Sequence, residues 1–504
     1  MSYRDCGSVN RLSLEPWLKA TQSSDSLVSQ ILRGQRPLLD PDHALLTTEI
    51  VELEQQQSLY AAQLEEIQLR QHAVLKALES RKSVYAPIRR LPRDILIEIF
   101  HSVCDSWWQE ENRPWSLRLP LHSLDVSGPL WVLSRVCGLW RDTLHSSPAS
   151  WARKLVVREP FSKYALAILQ TYLEHTGEHL LNLQVFCSHP AEDDEILSLL
   201  VQSCQRWKNL HIDATKHHMR HLESISQFPA LQTIDMTIYG HYDCSDICLS
   251  APQLWKASLC AQRIHQIKLS PGITHFPVSI ACPEDLRLLS QLPNLKRCRL
   301  RIFTTKDMPV VTAAHLTHLY VDRVDILDVL SAPLLGSLTI SLMSMRQGPQ
   351  SLSAQESLIR FLHQSRCHLE SLSISEAMFT FDTSSRMFAL EACSTISRLK
   401  LELHPRMVNG IVRTLTSPSV LPNLHHLILC MSQPSGDEWT AILRMARSRR
   451  DAGMLKLVEV QFRVDEHDCY LAEDMQALTG DDFEMRVAKW DPPCQDHLYL
   501  EHLS

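Results

Sequence analysis

Residues 89–100 read RRLPRDILIEIF and carry the pattern of a short helix that begins at a proline. Pro92 has a fixed φ and lacks only an N–H that the first turn would leave unpaired, so it suits a helix start. Asp94 adds negative charge to the first turn, where the helix dipole favours it. The apolar positions recur at steps of one, three and four and cover a stripe wider than one packing face needs: Leu91, Ile95, Leu96, Ile99, Phe100 and Val103. We therefore expect part of this stripe to contact another protein.

A second helix is predicted in residues 131–141, which read WVLSRVCGLWR. Helical spacing places Arg141 and Asp142 on one side and the apolar side chains on the other: Leu133, Val136, Cys137, Trp140 and Leu144. Pro148 is expected to end this helix. A glycine inside a helix costs about 1 kcal/mol relative to alanine, so Gly138 should weaken it.

Together these residues resemble the F-box, the helical module through which substrate adaptors join Skp–cullin–RING ubiquitin ligases. The matching elements are Leu91-Pro92, the pairs Ile95-Leu96 and Ile99-Phe100, Val136-Cys137, Trp140-Arg141, and the final Pro148 and Trp151. The arrangement is most similar to the large F-box families of mushroom-forming fungi. Departures are Gly138 and Leu139, where the family often has basic residues, and Ser150, where it has leucine. The resemblance implies that the Skp subunit is contacted by Leu91, Pro92, Ile95, Leu96, Ile99, Phe100, Val136, Cys137 and Trp140.

Composition sets the broad class of the protein. The chain has 504 residues, of which 44% are hydrophobic and 21% charged, values that fit globular domains and exclude a disordered chain. A net charge of −7 gives no reason to expect nucleic acid as a ligand. We find no signal sequence and no run of about 18 apolar residues, so we expect no membrane anchor and a cytoplasmic or nuclear location. Fifteen cysteines without Cys-x-x-Cys spacing favour a reducing compartment.

A heptad pattern precedes the F-box-like segment. Between residues 40 and 84, apolar or glutamine residues alternate at steps of three and four: Leu46, Ile50, Leu53, Gln57, Tyr60, Leu64, Ile67, Gln71, Val74 and Leu78. We call this set the seam. Asp40 and Pro41 are expected as N-cap and first helical residue. The seam can pair with a second copy of the chain or dock on its own chain, and the pattern does not choose between a homodimer and this alternative.

A hexapeptide pattern recurs after Trp151, with apolar residues at its first, fourth and sixth positions. Clear copies begin at Leu180, Trp207, Leu231, Leu316, Leu335, Leu369, Ile396, Leu424 and Leu455, and weaker ones at Leu254, Ile264 and Leu295. The fourth and sixth residues would point to one side of a short strand, and a spacing of roughly 20 to 35 residues leaves room for a returning helix or loop. This region resembles a divergent leucine-rich-repeat solenoid; unrelated strands in a mixed α/β domain are the alternative.

The predicted fold is therefore α/β, with a long N-terminal helix, a helical F-box module and a divergent leucine-rich-repeat-like α/β solenoid. The predicted domains are a flexible segment (1–39), the heptad-patterned helix (40–84), the F-box-like domain (85–155) with an insertion (104–128), and a substrate-recognition domain (156–504). The Trp-rich insertion is expected either to pack on the F-box-like domain or to form a partner surface.

Signatures of catalysis are weak in this sequence. Phosphate-binding glycine loops, Gly-x-Ser-x-Gly and His-Glu-x-x-His are absent, so we expect no catalytic residues, cofactor or metal. His217 and His221, one helical turn apart with His211 nearby, could present imidazoles to a metal, but a solvated histidine-rich turn is the favoured interpretation.

The sequence thus predicts a non-catalytic adaptor that binds the Skp subunit and, through it, cullin, while the repeats bind an unknown target protein. The alternative is a scaffold that dimerises through the heptad-patterned helix without ubiquitin transfer. A metal-dependent or cysteine-based enzyme hidden in the repeats is a third hypothesis.

Overall fold

A computed structural model describes residues 25–109, 122–187, 194–241, 248–302, 310–341, 351–375, 387–431, 436–462, 479–480 and 482–489. Contacts within the chain divide it into two units, Met1–Pro92 and Arg93–Ser504. The division lies inside the segment that the sequence assigns to the F-box-like domain (85–155). The expected mixed α/β class is confirmed, and it rests on a large parallel sheet.

The first unit contains a helix of 45 residues, α1 (Asp40–Val84). Residues 25–32 before it are also helical, so the expectation of a flexible segment through residues 1–39 is wrong for this part. At 1.5 Å per residue α1 is about 67 Å long. It begins one residue earlier than predicted, because Leu39 takes the N-cap position and Asp40 and Pro41 lie in the first turn. The guanidinium of Arg36 donates to both carboxylate oxygens of Asp42 at 2.9 Å, which fixes the chain at the helix start. A short 3₁₀ helix follows at Pro87–Arg90.

Four helices open the second unit: α2 (Arg93–Gln109), α3 (Pro129–Val136), α4 (Gly138–His145) and α5 (Pro148–Ala152). Prolines stand in the first turn of α3 and α5, where their missing N–H costs nothing. Residues 110–121 of the predicted insertion (104–128) lie outside the described residues. Trp107 and Trp108 extend α2, with ring centroids 4.7 Å apart.

The described residues then contain sixteen strands: β1 (Leu155–Arg158), β2 (Leu181–Phe186), β3 (Trp207–Thr215), β4 (Thr233–His241), β5 (Lys256–Gln262), β6 (His275–Ile280), β7 (Arg297–Ile302), β8 (Val311–Thr312), β9 (His318–Val321), β10 (Leu330–Ser331), β11 (Ser337–Ile340), β12 (Ser371–Ile374), β13 (Arg398–Leu403), β14 (His426–Met431), β15 (Leu457–Phe462) and β16 (Glu484–Lys489). Fourteen of them form one sheet in chain order, and β8 and β10 pair separately. Every strand in the large sheet pairs in parallel with its neighbours in that order.

In the strands that carry a hexapeptide copy, the fourth and sixth residues of the copies line up from strand to strand in two rows of side chains. Leu183 is in register with Leu210, and Val185 with Ile212. The same alignment recurs at the other end, where Leu427 is in register with Val458. These residues are buried, because successive side chains of a strand point to opposite faces and one face meets the core.

Helices and 3₁₀ turns occupy many connections between the strands. The helices are α6 (Ala165–His175), α7 (Asp194–Val201), α8 (Lys216–Glu223), α9 (Pro283–Leu286), α10 (Leu288–Gln291), α11 (Ser351–Ser365), α12 (Pro405–Thr416) and α13 (Gly436–Asp451). Buried side chains from these helices join the strand rows in one hydrophobic core.

Two copies of the hexapeptide differ from the prediction. Leu180 is 46% exposed and Leu181 is buried in its place, because a bulge shifts the register of β2 against β3 at this point. The copy beginning at Ile264 forms a 3₁₀ turn, and the neighbouring strand is β6. Ile264 is buried there all the same, so an apolar spacing of this length does not distinguish a strand from a turn.

None of the helices in the described residues combines the length and the apolar composition that crossing a membrane requires.

Candidate protein-docking surfaces

Helix α2 carries two parallel apolar stripes. Leu96 and Phe100 have no exposed surface and Cys104 is 9% exposed, so this stripe packs into the chain. The adjacent stripe contains Ile95 and Val103, each 44% exposed, and the half-buried Ile99. Residues four apart lie on the same side of a helix, so these three side chains form one open row. We call Ile95, Ile99 and Val103 the open stripe.

The predicted second helix is interrupted, and the expectation of one continuous helix through residues 131–141 is wrong. Cys137 is extended, with φ −162° and ψ 168°, and it separates α3 from α4. Gly138, a weak helix former, follows the break. The Arg141 side chain donates to the carbonyl oxygen of Ser134 at 3.2 Å and so satisfies a group that the break leaves without an intrahelical partner.

The break changes which side chains share a face. Leu133 and Leu144 are buried, whereas Val136 is 54% exposed and Val132 is 47% exposed. Cys137 and Trp140 are half-buried, and the Trp140 ring lies 5.0 Å from that of Phe100. The exposed pair Val132 and Val136 thus forms a second open apolar patch, on α3.

Aromatic packing fixes these helices to the edge of the sheet. Trp151 is fully buried, and its indole N–H donates to the carbonyl of Leu144 at 3.2 Å. Its ring contacts those of Trp131 and Tyr172 at centroid distances of 5.3 and 5.2 Å. The Trp131 indole N–H donates to the Ser123 carbonyl at 2.9 Å, and the Ser123 hydroxyl accepts from the Val156 amide at 2.9 Å. This packing connects the helices directly to β1.

Ser150, which replaces the leucine of the F-box pattern, has a polar environment. Its hydroxyl lies 2.9 Å from Nε2 of His101 and 2.8 Å from the hydroxyl of Ser147. Burial lowers the pKa of His101, and the charge of Arg153 adds to this effect. At neutral pH an uncharged imidazole therefore links α2 to α5, at the position where the F-box pattern has leucine.

The structure divides the nine residues that the resemblance assigns to Skp binding. Pro92, Ile95 and Val136 are exposed, and Leu91, Ile99, Cys137 and Trp140 are half-buried. Leu96 and Phe100 are fully buried within the chain itself. Seven of these residues therefore keep surface that solvent can reach, whereas Leu96 and Phe100 have none.

A second candidate docking surface is the open face of strands β4–β7, which contains a groove of about 410 Å³. Its polar lining includes Asp235 of β4, Lys256 and Ser258 of β5, and Arg299 and Arg301 of β7. Three of these side chains are cationic and one is anionic, so the groove is basic overall. Such a surface suits an extended, acidic segment of another protein.

Arginine–aromatic stacking orders this face. The Arg299 guanidinium lies 4.6 Å from the Tyr320 ring on the register-paired position of β9, and Arg158 lies 4.1 Å from the Phe186 ring in the same relation. Our sequence analysis did not single out these arginines. The signal was the period of two in residues 297–302, RCRLRI, in which basic side chains alternate with apolar ones.

Two titratable groups on this face have shifted pKa values. Burial lowers the pKa of His275 to about 4, and the charges of Arg297 and Lys256 add to the shift. Burial raises the pKa of Asp235, but the hydrogen bond and charge of His211, 3.0 Å away, outweigh it and leave that pKa lowered. At neutral pH His275 is therefore uncharged and Asp235 is ionised.

The histidines proposed as weak metal ligands do not form one site. His217 and His221 lie on α8 with ring centroids 6.4 Å apart, whereas His211 lies on β3 and contacts Asp235. In the described part of the chain, His265, Cys282 and Asp285 have donor atoms that meet within 4.8 Å.

This cluster is explained by capping of α9. The carboxylate of Asp285 accepts from the amides of His265, Ala281 and Cys282 at 3.0 to 3.1 Å and lies 2.8 Å from Nδ1 of His265. Burial raises the pKa of Cys282 to about 11, so its thiol stays protonated. These contacts satisfy the buried carboxylate of Asp285, which is 0% exposed.

A scan against protein-family models finds no family that matches this chain, and a search of curated proteins finds no matching relative.

Proposed function

We propose that the protein is a substrate-recognition adaptor of a Skp–cullin–F-box ubiquitin ligase. The observation that carries the proposal is the open stripe of α2, which lies beside a fully buried stripe on the same helix. A helix that already has a complete core contact does not need Ile95 and Val103 for folding, and both are 44% exposed. Exposed apolar rows of this kind are typical of protein-binding helices.

In this proposal residues 85–155 are an F-box-like domain that binds the Skp subunit. Ile95, Ile99 and Val136 are the central contacts, with Leu91 and Pro92 at the start of the helix. The buried Leu96 and Phe100 keep α2 in place and do not contact the partner.

Residues 156–504 would form a divergent leucine-rich-repeat-like solenoid that binds the target protein. Support comes from the chain-order parallel sheet and from the buried rows that repeat at roughly 20 to 35 residues, the spacing of one strand and its return. The groove on β4–β7 is the candidate target-binding surface.

The adaptor itself would break no bonds. By holding a target lysine near the charged conjugating enzyme it raises the effective concentration of the reacting groups, which accelerates transfer by proximity and orientation. Such a ligase operates in the cytoplasm or the nucleus.

The test is binding of the full chain to a purified Skp-type subunit, measured by calorimetry. We expect Leu91→Ala with Pro92→Ala, and separately Ile95→Asp, to weaken binding at least about tenfold, since each removes central apolar contacts. Leu166→Asp is the matched control, because Leu166 is a comparably exposed leucine (37%) on α6, away from the predicted surface. Unchanged binding by the first two variants would end the proposal.

A scaffold that binds partners without ubiquitin transfer is the second candidate, and the exposed seam of α1 favours it. Affinity purification of the tagged chain distinguishes the two, since cullin accompanies an adaptor and does not accompany a scaffold.

A further inference from the structure

Helix α1 exposes most of its seam to solvent, although Leu46 is half-buried. Between 45% and 66% of the surface is exposed for these apolar seam residues: Ile50, Leu53, Tyr60, Leu64, Ile67, Val74 and Leu78. An isolated helix cannot gain stability from such residues, because helix stability in proteins comes mainly from packing an apolar face. Within the described part of the chain, the exposed seam residues therefore have no apolar surface packed against them.

We propose that α1 pairs with α1 of a second copy of this chain, in parallel and in register, as a two-stranded coiled coil. This inference is independent of the proposed ligase function.

The area available is that of a stable dimer. Seven exposed apolar side chains lie on the seam, and at about 100 Å² of exposed surface each they would bury on the order of 700 Å² per copy, close to the roughly 800 Å² per partner of a standard protein interface. The seam spans residues 46–78, so the paired segment would be about 50 Å long.

The polar seam residues identify the partner as a second copy. In heptad terms Ile50, Gln57, Leu64, Gln71 and Leu78 all occupy the a position. In a parallel, in-register pair each a residue meets its own counterpart, so Gln57 faces Gln57 and Gln71 faces Gln71. Each amide then has a hydrogen-bonding partner across the interface.

The antiparallel arrangement lacks this pairing. With the seam residues 46–78 fully overlapped, a positions face d positions, so that Gln57 meets Ile67 of the second copy and Gln71 meets Leu53. Four amide side chains would then face apolar residues and lose their hydrogen-bonding partners. This loss costs more free energy than the unfavourable contact of the parallel dimer. That contact joins Glu49 at a g position to Glu54 at the facing e position, and it is a like-charge pair at the edge of the interface, where its effect is small.

The test is sedimentation equilibrium of the full chain over a range of concentrations. We expect a monomer–dimer equilibrium, and we expect Leu64→Glu with Ile67→Glu to raise the dissociation constant at least about 100-fold, because four carboxylates would enter the seam. The matched control is Leu69→Glu, which changes an equally exposed leucine at the outward f position and should leave the constant within about twofold.

Glu54→Lys tests the orientation. It converts both Glu49–Glu54 contacts of a parallel dimer into ion pairs, so the dissociation constant should fall at least about fivefold at low salt, and the gain should shrink at high salt. Three results would overturn the inference: a chain that stays monomeric throughout, a dimer that survives the double seam variant, and a dimer that Glu54→Lys leaves unchanged. Circular dichroism of each variant verifies that α1 remains helical.

Discussion

Truncation to alanine should have different effects at two adjacent residues of α2, Leu96 and Ile95: the first should mainly lower stability and the second should mainly weaken binding of the Skp subunit. Leu96 has no exposed surface, so Leu96→Ala loses the full transfer free energy of the removed carbons and leaves a cavity, at a cost of about 3 kcal/mol. Ile95 is 44% exposed, so Ile95→Ala removes a side chain that is only about half transferred from water and should cost about 1 kcal/mol. Ile95→Ala should in turn weaken Skp binding, since its side chain lies on the open stripe.

Urea unfolding followed by tryptophan fluorescence measures the first effect, and calorimetry with the Skp-type subunit measures the second. The midpoint of unfolding should fall clearly for Leu96→Ala and little for Ile95→Ala. Equal losses of stability would show that the two stripes have been assigned to the wrong faces, and the docking argument would lose its basis.

Three further predictions concern the second unit. Arg449 is 2% exposed and donates to the carbonyls of Leu415 at 2.6 Å and Leu421 at 3.2 Å. Arg449→Met should therefore lower the free energy of unfolding by about 3 kcal/mol, measured by urea unfolding. The control Arg450→Met removes a surface ion pair and should change that free energy by under about 0.5 kcal/mol. Ser123→Ala removes the acceptor of a buried amide and should cost about 1 to 2 kcal/mol in the same assay, with Ser127→Ala, an exposed serine, as its neutral control. The pKa of His275 is lowered to about 4, so between pH 6.5 and 4 the unfolded chain binds more protons than the folded chain. The stability of the protein should therefore fall as the pH falls through that window. His275→Gln should make this fall shallower, which a series of thermal unfolding curves at different pH values can measure. An unaltered pH dependence in that variant would contradict the assignment.

Much of the architecture could be read from periodicity. The 3-and-4 alternation in residues 40–84 predicted a helix, and the structure places that helix at Asp40–Val84. Eleven of the twelve hexapeptide copies begin within two residues of the start of a strand. These predictions succeed because burial on one face requires a period near 3.6 in a helix and of two in a strand.

The failures share a cause. Continuous helical spacing through Cys137 hid the break there, because the apolar pattern on either side is compatible with an uninterrupted helix. Leu180 and Leu181 are both leucine, so the pattern could not tell which one faces the core once a bulge shifts the register. In each case a backbone conformation of a single residue decides the outcome.

The candidate docking surfaces likewise have features that the sequence predicts and features that only the structure shows. The sequence by itself determined that α2 has more apolar residues than one face can bury, and that the repeats place apolar side chains two apart. Only the tertiary structure decided that Leu96 and Phe100 are the buried members, that Ile95 and Val103 stay open, and that Arg299 and Arg301 line one groove with Asp235. The physical reason is that periodicity depends on neighbours along one element, whereas burial and groove formation depend on side chains brought together from distant parts of the chain.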